Sequence, residues 1–299
     1  MQLLIFLVAY PILWIISILP FRLFYWFSDF VFFIVFHVLR YRRKIVQENL
    51  KLTLPHLSVQ ERALVEKKFY SHMCDIFLEM VKTFTISEKD IRKRFVFTNM
   101  DLFHEMAKDN KSIILMLAHY ASWEWMVSIS LYTNLKAIGV YTKVENKYFD
   151  RLVRQIRSKY KGELVTTRET IKTVAENAAN KVQCLYGFVS DQSPMLQKSF
   201  YWDHFMGVEV PIHTGAEMLA KRCDLNVLFV KIKKVKRGHY EATFVKLVDH
   251  PKQHPDYEIS SLFLREAEKQ ILEAPEFYLW THKRWKHRNK KHEVRKNID

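Results

Sequence analysis

Cysteine, glycine and proline are scarce in this chain of 299 residues, which has 3 Cys, 6 Gly and 8 Pro. The cysteines lie far apart and outside any C-x-x-C spacing, so neither a disulfide framework nor a zinc site is indicated. With 49% hydrophobic residues, the composition excludes a low-complexity or disordered chain. We expect an ordered protein in a reducing compartment, with one large domain and a short additional segment.

Several catalytic and binding motifs are absent as well. The sequence has no H-E-x-x-H and no other metal-ligand spacing, so we predict neither a metal ion nor a cofactor. It lacks the G-x-S-x-G of serine hydrolases. No zinc finger or RNA-recognition module accompanies the positive charge, and we therefore expect no nucleic-acid partner.

The N-terminus is a long uncharged run. "MQLLIFLVAYPILWIISILP" has no charged residue in 20 positions, enough to cross a hydrocarbon core of about 30 Å as a helix. It lacks a basic n-region and a cleavage site, so we expect it to stay attached. A second apolar run at 23–39 contains Asp29, and because a charge within lipid is costly we expect this run to lie on the membrane surface. Residues 1–44 are thus predicted to be a membrane anchor and an interfacial helix, and the alternative is a pair of buried core helices.

The formal charge of +15 favours a membrane-surface location. The positive-inside tendency places the domain on the cytoplasmic side, because five basic residues flank the second apolar run: Arg22, Arg40, Arg42, Arg43 and Lys44. Residues 282–296 hold eight further Lys or Arg and one Glu. This basic segment suits anionic lipid head groups or an acidic carrier protein, and the alternative is a solvated tail.

Residues 45–299 alternate strand and helix patterns. Apolar runs of strand length occur at 112–118, 136–141, 183–189, 226–235 and 239–248. Helical patterns lie at 59–84, 147–160, 168–179 and 214–222. This alternation predicts an α/β fold with a mixed, largely parallel central sheet flanked by helices, in which the last two strands form a hairpin.

The stretch "LMLAHYASWEWMV" places a histidine and a glutamate directly after a predicted buried strand. His119 then lies at the carboxyl end of the strand and Glu124 in the first turn of the next helix, where open α/β sheets place their sites. A histidine there can accept a proton from a hydroxyl if a carboxylate orients its ring, and Glu124 is the predicted carboxylate. The alternative is two polar residues at the end of a buried strand.

Further segments agree in order with one known family. "HYASWEW" resembles an H-x-x-x-x-E segment, often H-x-G-N-W-E, with Ala121 and Ser122 in place of glycine and asparagine. The other matching segments are "RRKIVQENLKLTLPHLS" (42–58), "GVYTKVENKYFDRLVRQIRSKYKG" (139–162), "GFVSDQSP" (187–194), "FMGVEVPIHTGAEMLAKR" (205–222) and "PEFYLWTHKRWKHR" (275–288). Together they resemble the lipid A late acyltransferases, the lauroyl and myristoyl transferases of the lysophospholipid acyltransferase-like superfamily.

The resemblance implies a glycerolipid acyltransferase-like domain over residues 45–299, which ends in the basic segment. It implies that His119 deprotonates a hydroxyl of a lipid A precursor, that Glu124 orients the imidazole, and that the alkoxide attacks an acyl carrier protein thioester. It further implies the inner membrane of a Gram-negative bacterium, with the domain on its cytoplasmic face.

Four further residues are candidates for substrate binding. Arg157 is suited to an acceptor phosphate or an oxyanion, and Lys143 to a phosphate. Asp191 and Gln192 follow a predicted strand and are placed to contact polar groups of the acceptor or to order the arginine. Their alternatives are a helix-surface charge, a solvated lysine and a turn-forming aspartate.

Two other functions stay open from the sequence. Within the enzyme class, the acceptor is another amphiphile, such as a lysophospholipid, an aminolipid or a different glycolipid. Outside it, the chain is a non-enzymatic basic protein that binds anionic membranes.

Overall fold

A seven-stranded sheet forms the centre of the computed structural model, which describes residues 1–291. The strands are β1 (Phe95–Phe97), β2 (Ile113–Leu117), β3 (Lys136–Tyr141), β4 (Glu163–Thr166), β5 (Cys184–Val189), β6 (Tyr201–Phe205), β7 (Val208–Ile212), β8 (Asn226–Lys236) and β9 (His239–Val248). Their order in the sheet is β1-β9-β8-β2-β5-β3-β4, and β6 pairs with β7 apart from it. Only β8 and β9 pair in antiparallel fashion within the large sheet, which confirms the predicted mixed, largely parallel α/β fold and its terminal hairpin.

Helices cover the sheet and form the N-terminal part of the chain. They are α1 (Gln2–Ile18), α2 (Phe21–Phe33), α3 (Arg43–Thr53), α4 (Val59–Lys82), α5 (Glu88–Arg94), α6 (Met100–Met106), α7 (Lys147–Arg157), α8 (Thr170–Ala179), α9 (Gly215–Cys223) and α10 (Glu258–Glu273). The four predicted helical patterns correspond to α4, α7, α8 and α9. The short strands β1, β4, β6 and β7 were not predicted, because three to five residues give too little pattern to recognise.

Local sequence signals explain where the main elements begin. Ser58 and Glu61 form a capping box at the start of α4, each bonding the other's backbone N–H group. Asn146 caps α7 through the backbone N–H groups of Tyr148 and Phe149. All five residues of β2 are buried, which is why this central parallel strand appears in the sequence as a continuous apolar run.

The second apolar run is held against the domain by polar contacts. Tyr25 donates to Glu79 of α4 at 2.8 Å, and Ser28 donates to Asp75 at 2.8 Å. Asp29, which we expected to avoid lipid, pairs with Arg237 beyond β8 at 2.7 Å. One side of α2 therefore binds the domain through hydrogen bonds and an ion pair.

The other side of α2 is apolar and exposed. Trp26 is 71% exposed and Phe30 60% exposed. Within residues 1–291, one helical segment is long and apolar enough to cross a membrane, Phe21–Val38, in which α2 continues as a π-helix; α1 is shorter. The candidate span is thus the second apolar run, whereas the sequence favoured the first. Only two residues are buried in each helix, Ile16 and Ser17 in α1 and Phe24 and Ser28 in α2, which disagrees with the alternative of two buried core helices.

The basic C-terminal segment is folded over much of its described length. Trp285 and Arg284 are each 1% exposed, and the Trp285 indole N–H donates to the Phe205 carbonyl at 3.1 Å. The alternative of a solvated tail is therefore wrong for this part. Residues 292–296 of the predicted segment lie outside the described residues.

A buried carboxyl group joins α2, α4 and β9. Glu79 accepts hydrogen bonds from Tyr25 and from Tyr240, the latter at 3.0 Å, and Ser122 donates to it at 3.4 Å. Burial and the nearby Asp75 raise the pKa of Glu79 to about 7, although these hydrogen bonds oppose the rise. The carboxyl group is therefore more easily protonated in the folded chain than in the unfolded one.

This raised pKa predicts how Glu79→Gln changes stability with pH. Because the folded chain holds the proton more tightly, ionisation of Glu79 destabilises the fold progressively as pH rises from about 4.5 to about 7. Relative to the parent, the variant should gain up to about 1.4 kcal/mol per pH unit across that window. Denaturant titrations at several pH values measure the difference, with exposed Glu176→Gln as control. A pH-independent difference would contradict the prediction.

Candidate active site

The pairing of β2 with β5 brings two predicted site residues together. Leu117 and Val189, the last residues of these parallel strands, lie opposite each other. The Ser190 N–H continues the ladder by donating to the Leu117 carbonyl at 3.1 Å. His119 and Asp191, each two positions beyond its strand, therefore meet at the carboxyl edge of the sheet.

His119 makes three hydrogen bonds to the chain beyond β5. Its Nδ1 lies 2.7 Å from Asp191 Oδ1, and its backbone N–H donates to the same oxygen at 3.0 Å. Because an ionised carboxylate only accepts, neutral His119 carries its proton on Nδ1. Its Nε2 then accepts from the Gln192 amide at 3.2 Å. This nitrogen is the unprotonated one, as a base requires.

Asp191 is ionised despite its burial. Its side chain is 1% exposed, and this burial alone would raise its pKa. The His119 ring and hydrogen bonds from backbone N–H groups outweigh the burial and hold the pKa below its usual range. Burial raises the pKa of the nearby Tyr278 phenol, and the charge of Asp191 adds to the rise. The carboxylate is thus able to orient the ring and to stabilise a positive charge on it.

A second histidine close to Asp191 stays neutral. Burial lowers the pKa of His282 to about 4, even though the Asp191 charge opposes the change. The Ser193 N–H lies 3.4 Å from His282 Nε2 and donates to it. His282 therefore contributes hydrogen bonding rather than charge near neutral pH.

Arg284 is a buried cation without a carboxylate in contact. Its Nη1 donates to the Pro211 carbonyl at 3.1 Å, and its guanidinium lies over the Phe205 ring at 5.2 Å. Among the described residues, no partner bonds its Nε or Nη2. Burial lowers the pKa of Arg284, while attraction to the phenol of Tyr278 and to Asp191 opposes this. The arginine is thus a source of positive potential for the Asp191 carboxylate.

Glu124 has a different partner from the predicted one. Arg157 Nε and Nη2 donate to its two oxygens at 2.9 and 2.5 Å, a bidentate pair of low exposure. The Trp123 indole N–H donates to Glu124 Oε1 at 3.2 Å. The same indole lies edge-on to the His119 ring, with centroids 5.3 Å apart. Trp123 therefore links the His119–Asp191 pair to the Glu124–Arg157 pair.

The loop between β2 and Trp123 has an unusual backbone conformation. Ala121 has φ of +47°, in the left-handed region that favours glycine. Its N–H donates to the Phe277 carbonyl at 2.9 Å, and the His119 carbonyl accepts from Leu279 at 3.1 Å. The positive φ explains why a glycine suits this position in the motif that "HYASWEW" resembles. The following helix, Trp123–Leu131, is a 3-10 helix, and Ser122 makes no side-chain cap there.

The predicted site residues form two clusters, and Lys143 belongs to neither. Asp191 and Gln192 lie at His119, while Glu124 and Arg157 pair with each other. We predicted Glu124 as the carboxylate at the ring, but Asp191 has that position, because the 3-10 helix places Glu124 against α7. Lys143 is exposed and contacts neither pair.

Three functional candidates were not predicted from the sequence. Tyr278, His282 and Arg284 all lie near Asp191, and they belong to "PEFYLWTHKRWKHR", the last of the matching segments. The resemblance marked this segment, but nothing local in it indicated which side chains are buried. Within residues 1–291, no group of three or more His, Cys, Asp or Glu side chains is arranged to hold a metal ion.

A known protein family matches almost the whole chain. The family model described as bacterial lipid A biosynthesis acyltransferase matches residues 2–287. The chain belongs to this family. As a family member it is an acyltransferase of an α/β fold, so the non-enzymatic alternative is wrong.

Curated relatives are similar at low identity over most of the chain. A lipid A biosynthesis acyltransferase of Haemophilus influenzae is 23% identical over 253 residues, which cover 82% of this chain and 76% of the relative. The lipid A biosynthesis lauroyltransferase of Escherichia coli is 22% identical over 278 residues, 93% and 90% of the two chains. The palmitoleoyltransferase of lipid A biosynthesis from the same species is 21% identical over 255 residues, 84% and 80%.

Replacing the buried cation tests its place in this acyltransferase site. Arg284→Met should change the free energy of unfolding by no more than about 1 kcal/mol, because an apolar side chain of similar size can replace a buried ion. The acyl-transfer kcat should fall about tenfold, because the segment that carries Asp191 loses the contact of Arg284 with Ser193 and holds the carboxylate less precisely. Denaturant titration and steady-state kinetics measure the two effects.

Arg237→Met is the matched control for that variant. Arg237 pairs with the buried Asp75 at 2.7 Å, and its removal leaves that carboxylate with Lys234 at 3.5 Å and the Ser28 hydroxyl, so the variant should destabilise the fold by about 2 kcal/mol. A large loss of stability in Arg284→Met with unchanged kcat of the folded fraction would contradict the assigned role.

Proposed function

We propose that the protein transfers a fatty acyl chain from an acyl carrier protein thioester to a hydroxyl of a lipid A precursor, with His119 as the general base. One observation carries the proposal: His119 Nδ1 lies 2.7 Å from the buried, ionised Asp191, and Nε2 faces the half-buried Gln192 amide. The amide N–H occupies the position that a substrate hydroxyl needs in order to donate to Nε2.

The reaction then requires one proton relay. Nε2 takes the hydroxyl proton while the oxygen attacks the thioester carbonyl, and Asp191 stabilises the imidazolium that forms. When the tetrahedral intermediate collapses, the C–S bond breaks and the imidazolium returns the proton to the leaving thiolate. The products are an ester and a free carrier thiol, and the histidine is again neutral.

In this mechanism the positive charge comes from Arg157, which Glu124 holds in place. Arg157 is held by two hydrogen bonds from one side, so its remaining N–H groups are fixed in direction. They are suited to the oxyanion of the intermediate or to a phosphate of the acceptor. Glu124 therefore acts as a positioning residue for Arg157, and Lys143 is a further candidate for the acceptor phosphate.

The names of the relatives support the acceptor. All three act in lipid A biosynthesis, and two are named for the acyl groups they transfer. The acceptor in this proposal is accordingly a hydroxyl on a lipid A precursor. A carrier-bound thioester is already activated, so positioning, one base and oxyanion stabilisation are sufficient.

The exposed side of α1 and α2 gives the protein its membrane contact. In this proposal α2 lies along the cytoplasmic face of the inner membrane, because Tyr25, Ser28 and Asp29 tie its other side to the domain. A spanning α2 would draw these partners into lipid, where buried charge is costly. The acceptor then reaches the carboxyl edge of the sheet from the lipid surface.

Mass spectrometry of reactions with a lipid A precursor and an acyl carrier protein thioester tests the proposed function. The parent should add one acyl mass, and His119→Ala should lower the rate by 10²-fold to 10⁴-fold because the base is lost. Asp191→Asn should lower kcat by a similar factor. Glu124→Gln should lower kcat less, since Gln can still accept from Arg157. Full activity of His119→Ala would refute the mechanism, and transfer only to another lipid would refute the acceptor.

Vesicle flotation tests the orientation of α2. The variant Trp26→Ser/Phe30→Ser should bind vesicles containing anionic lipid at least tenfold more weakly, because about 2 kcal/mol of apolar burial is lost per side chain. A matched change of two exposed apolar residues away from this face, Leu64→Ser/Leu272→Ser, should leave binding unchanged. Equal losses in both variants would contradict the assigned membrane face.

A further inference from the structure

The helix that carries Arg157 also has an exposed basic stripe. Lys147, Arg151 and Arg154 of α7 follow one another by four and three residues, so they share one face of the helix. All three are exposed, and among the described residues none has a carboxylate within 4.0 Å. Lys143, before α7, and Arg168, beyond β4, are also exposed, and neither has a carboxylate within 4.0 Å among the described residues. Hydrogen bonds from Thr166 lower the pKa of nearby Glu169, and the charges of Arg154 and Lys143 add to the fall, so this one carboxylate lies close to several cations.

The stripe faces away from the membrane helix. Each helical residue turns the side chain by about 100°, which places the stripe roughly opposite Tyr148, Leu152 and Ile156. That second face packs beneath α1, where Phe6 of α1 stacks on Tyr148 at 5.6 Å. Arg151 and Arg154 consequently point away from α1, while Lys147 Nζ lies 5.2 Å from the centroid of the Tyr148 ring at the edge of the stripe.

The helix dipole favours Arg154, which lies in the last turn of α7, but it does not account for the other two cations. Lys147 is the first residue of α7, where the helix dipole disfavours positive charge. The acidic residue of the first turn, Asp150, is buried and accepts from the Val144 N–H at 2.9 Å, so it does not pair with the stripe. Three unpaired cations on one face instead favour a partner with negative charge.

We propose that the stripe formed by Lys147, Arg151 and Arg154 is the docking surface for the acidic carrier protein that delivers the acyl thioester. The inference rests on the proposed function and adds the place where the donor binds. Arg154 lies one turn before Arg157, so a carrier seated on the stripe places its thioester near the Glu124–Arg157 pair. The three positions span about 10 Å, the length of two turns of an acidic helix.

The test compares two donors that share one acyl chain and differ in the carrier. The donors are the acyl carrier protein thioester and the uncharged acyl-pantetheine thioester, used with the full chain and the same acceptor. Arg151→Glu/Arg154→Glu should raise KM for the carrier thioester at least tenfold and change KM for acyl-pantetheine no more than twofold. The salt dependence of the carrier KM should also decrease, because fewer charge pairs remain to be screened.

Lys51→Glu/Lys67→Glu is the matched control, since it makes the same change in net charge on α3 and α4. These two exposed lysines have no carboxylate within 4.0 Å among the described residues. Equal KM increases in the two double variants would overturn the proposal, as would an unchanged carrier KM or equal losses with both donors.

Vesicles and detergent distinguish the other anionic partners. If the effect of the stripe variant appears only with anionic vesicles and vanishes in neutral detergent, the stripe binds lipid head groups and the proposal is overturned. If the parent uses acyl-pantetheine but not the carrier thioester, the docking proposal fails while acyl transfer stands. If it uses neither donor, the proposed function fails first.

Discussion

The register between β2 and β5 is the constraint on which the rest of the site depends. Leu117 opposite Val189 sets His119 beside Asp191, and a slip of one residue would turn one of these side chains away. Every residue of β2 is buried, so the hydrophobic core fixes the register. The packing that stabilises the sheet therefore also sets the position of the proposed base.

The two carboxylates of the site, Asp191 and Glu124, have different roles. Asp191 accepts hydrogen bonds from His119 and lies near the buried Arg284, whereas the Glu124 oxygens accept from Arg157 and Trp123. The first carboxylate serves proton transfer and the second fixes a cation. Glu79 connects the loop between β2 and Trp123, which carries His119, to α2, since it accepts from Tyr25 on one side and from Ser122 on the other. One buried carboxyl group thus binds both α2, the helix proposed to contact the membrane, and the loop that carries His119.

Sequence patterns predicted the elements and the region of the site, but not the pairing within it. The runs at 112–118 and 183–189 indicated strands, and His119 and Asp191 were both placed at strand ends. Which strands are neighbours depends on non-local packing, because β3 and β4 lie between β2 and β5 along the chain. Nearness in sequence favoured Glu124 as the partner of His119, and a 3-10 helix, whose form the local pattern did not show, directs Glu124 to Arg157 instead. The buried position of Arg284 was equally unpredictable, because a basic run normally indicates solvent.

The most direct test of this account is the tautomer of His119, read from side-chain ¹⁵N shifts of histidine-labelled protein in detergent. The account predicts that neutral His119 carries its proton on Nδ1. It also predicts that Asp191→Asn perturbs these shifts strongly, while Glu124→Gln leaves them nearly unchanged. A proton on Nε2 in the parent, or a tautomer that depends on Glu124 and not on Asp191, would contradict it.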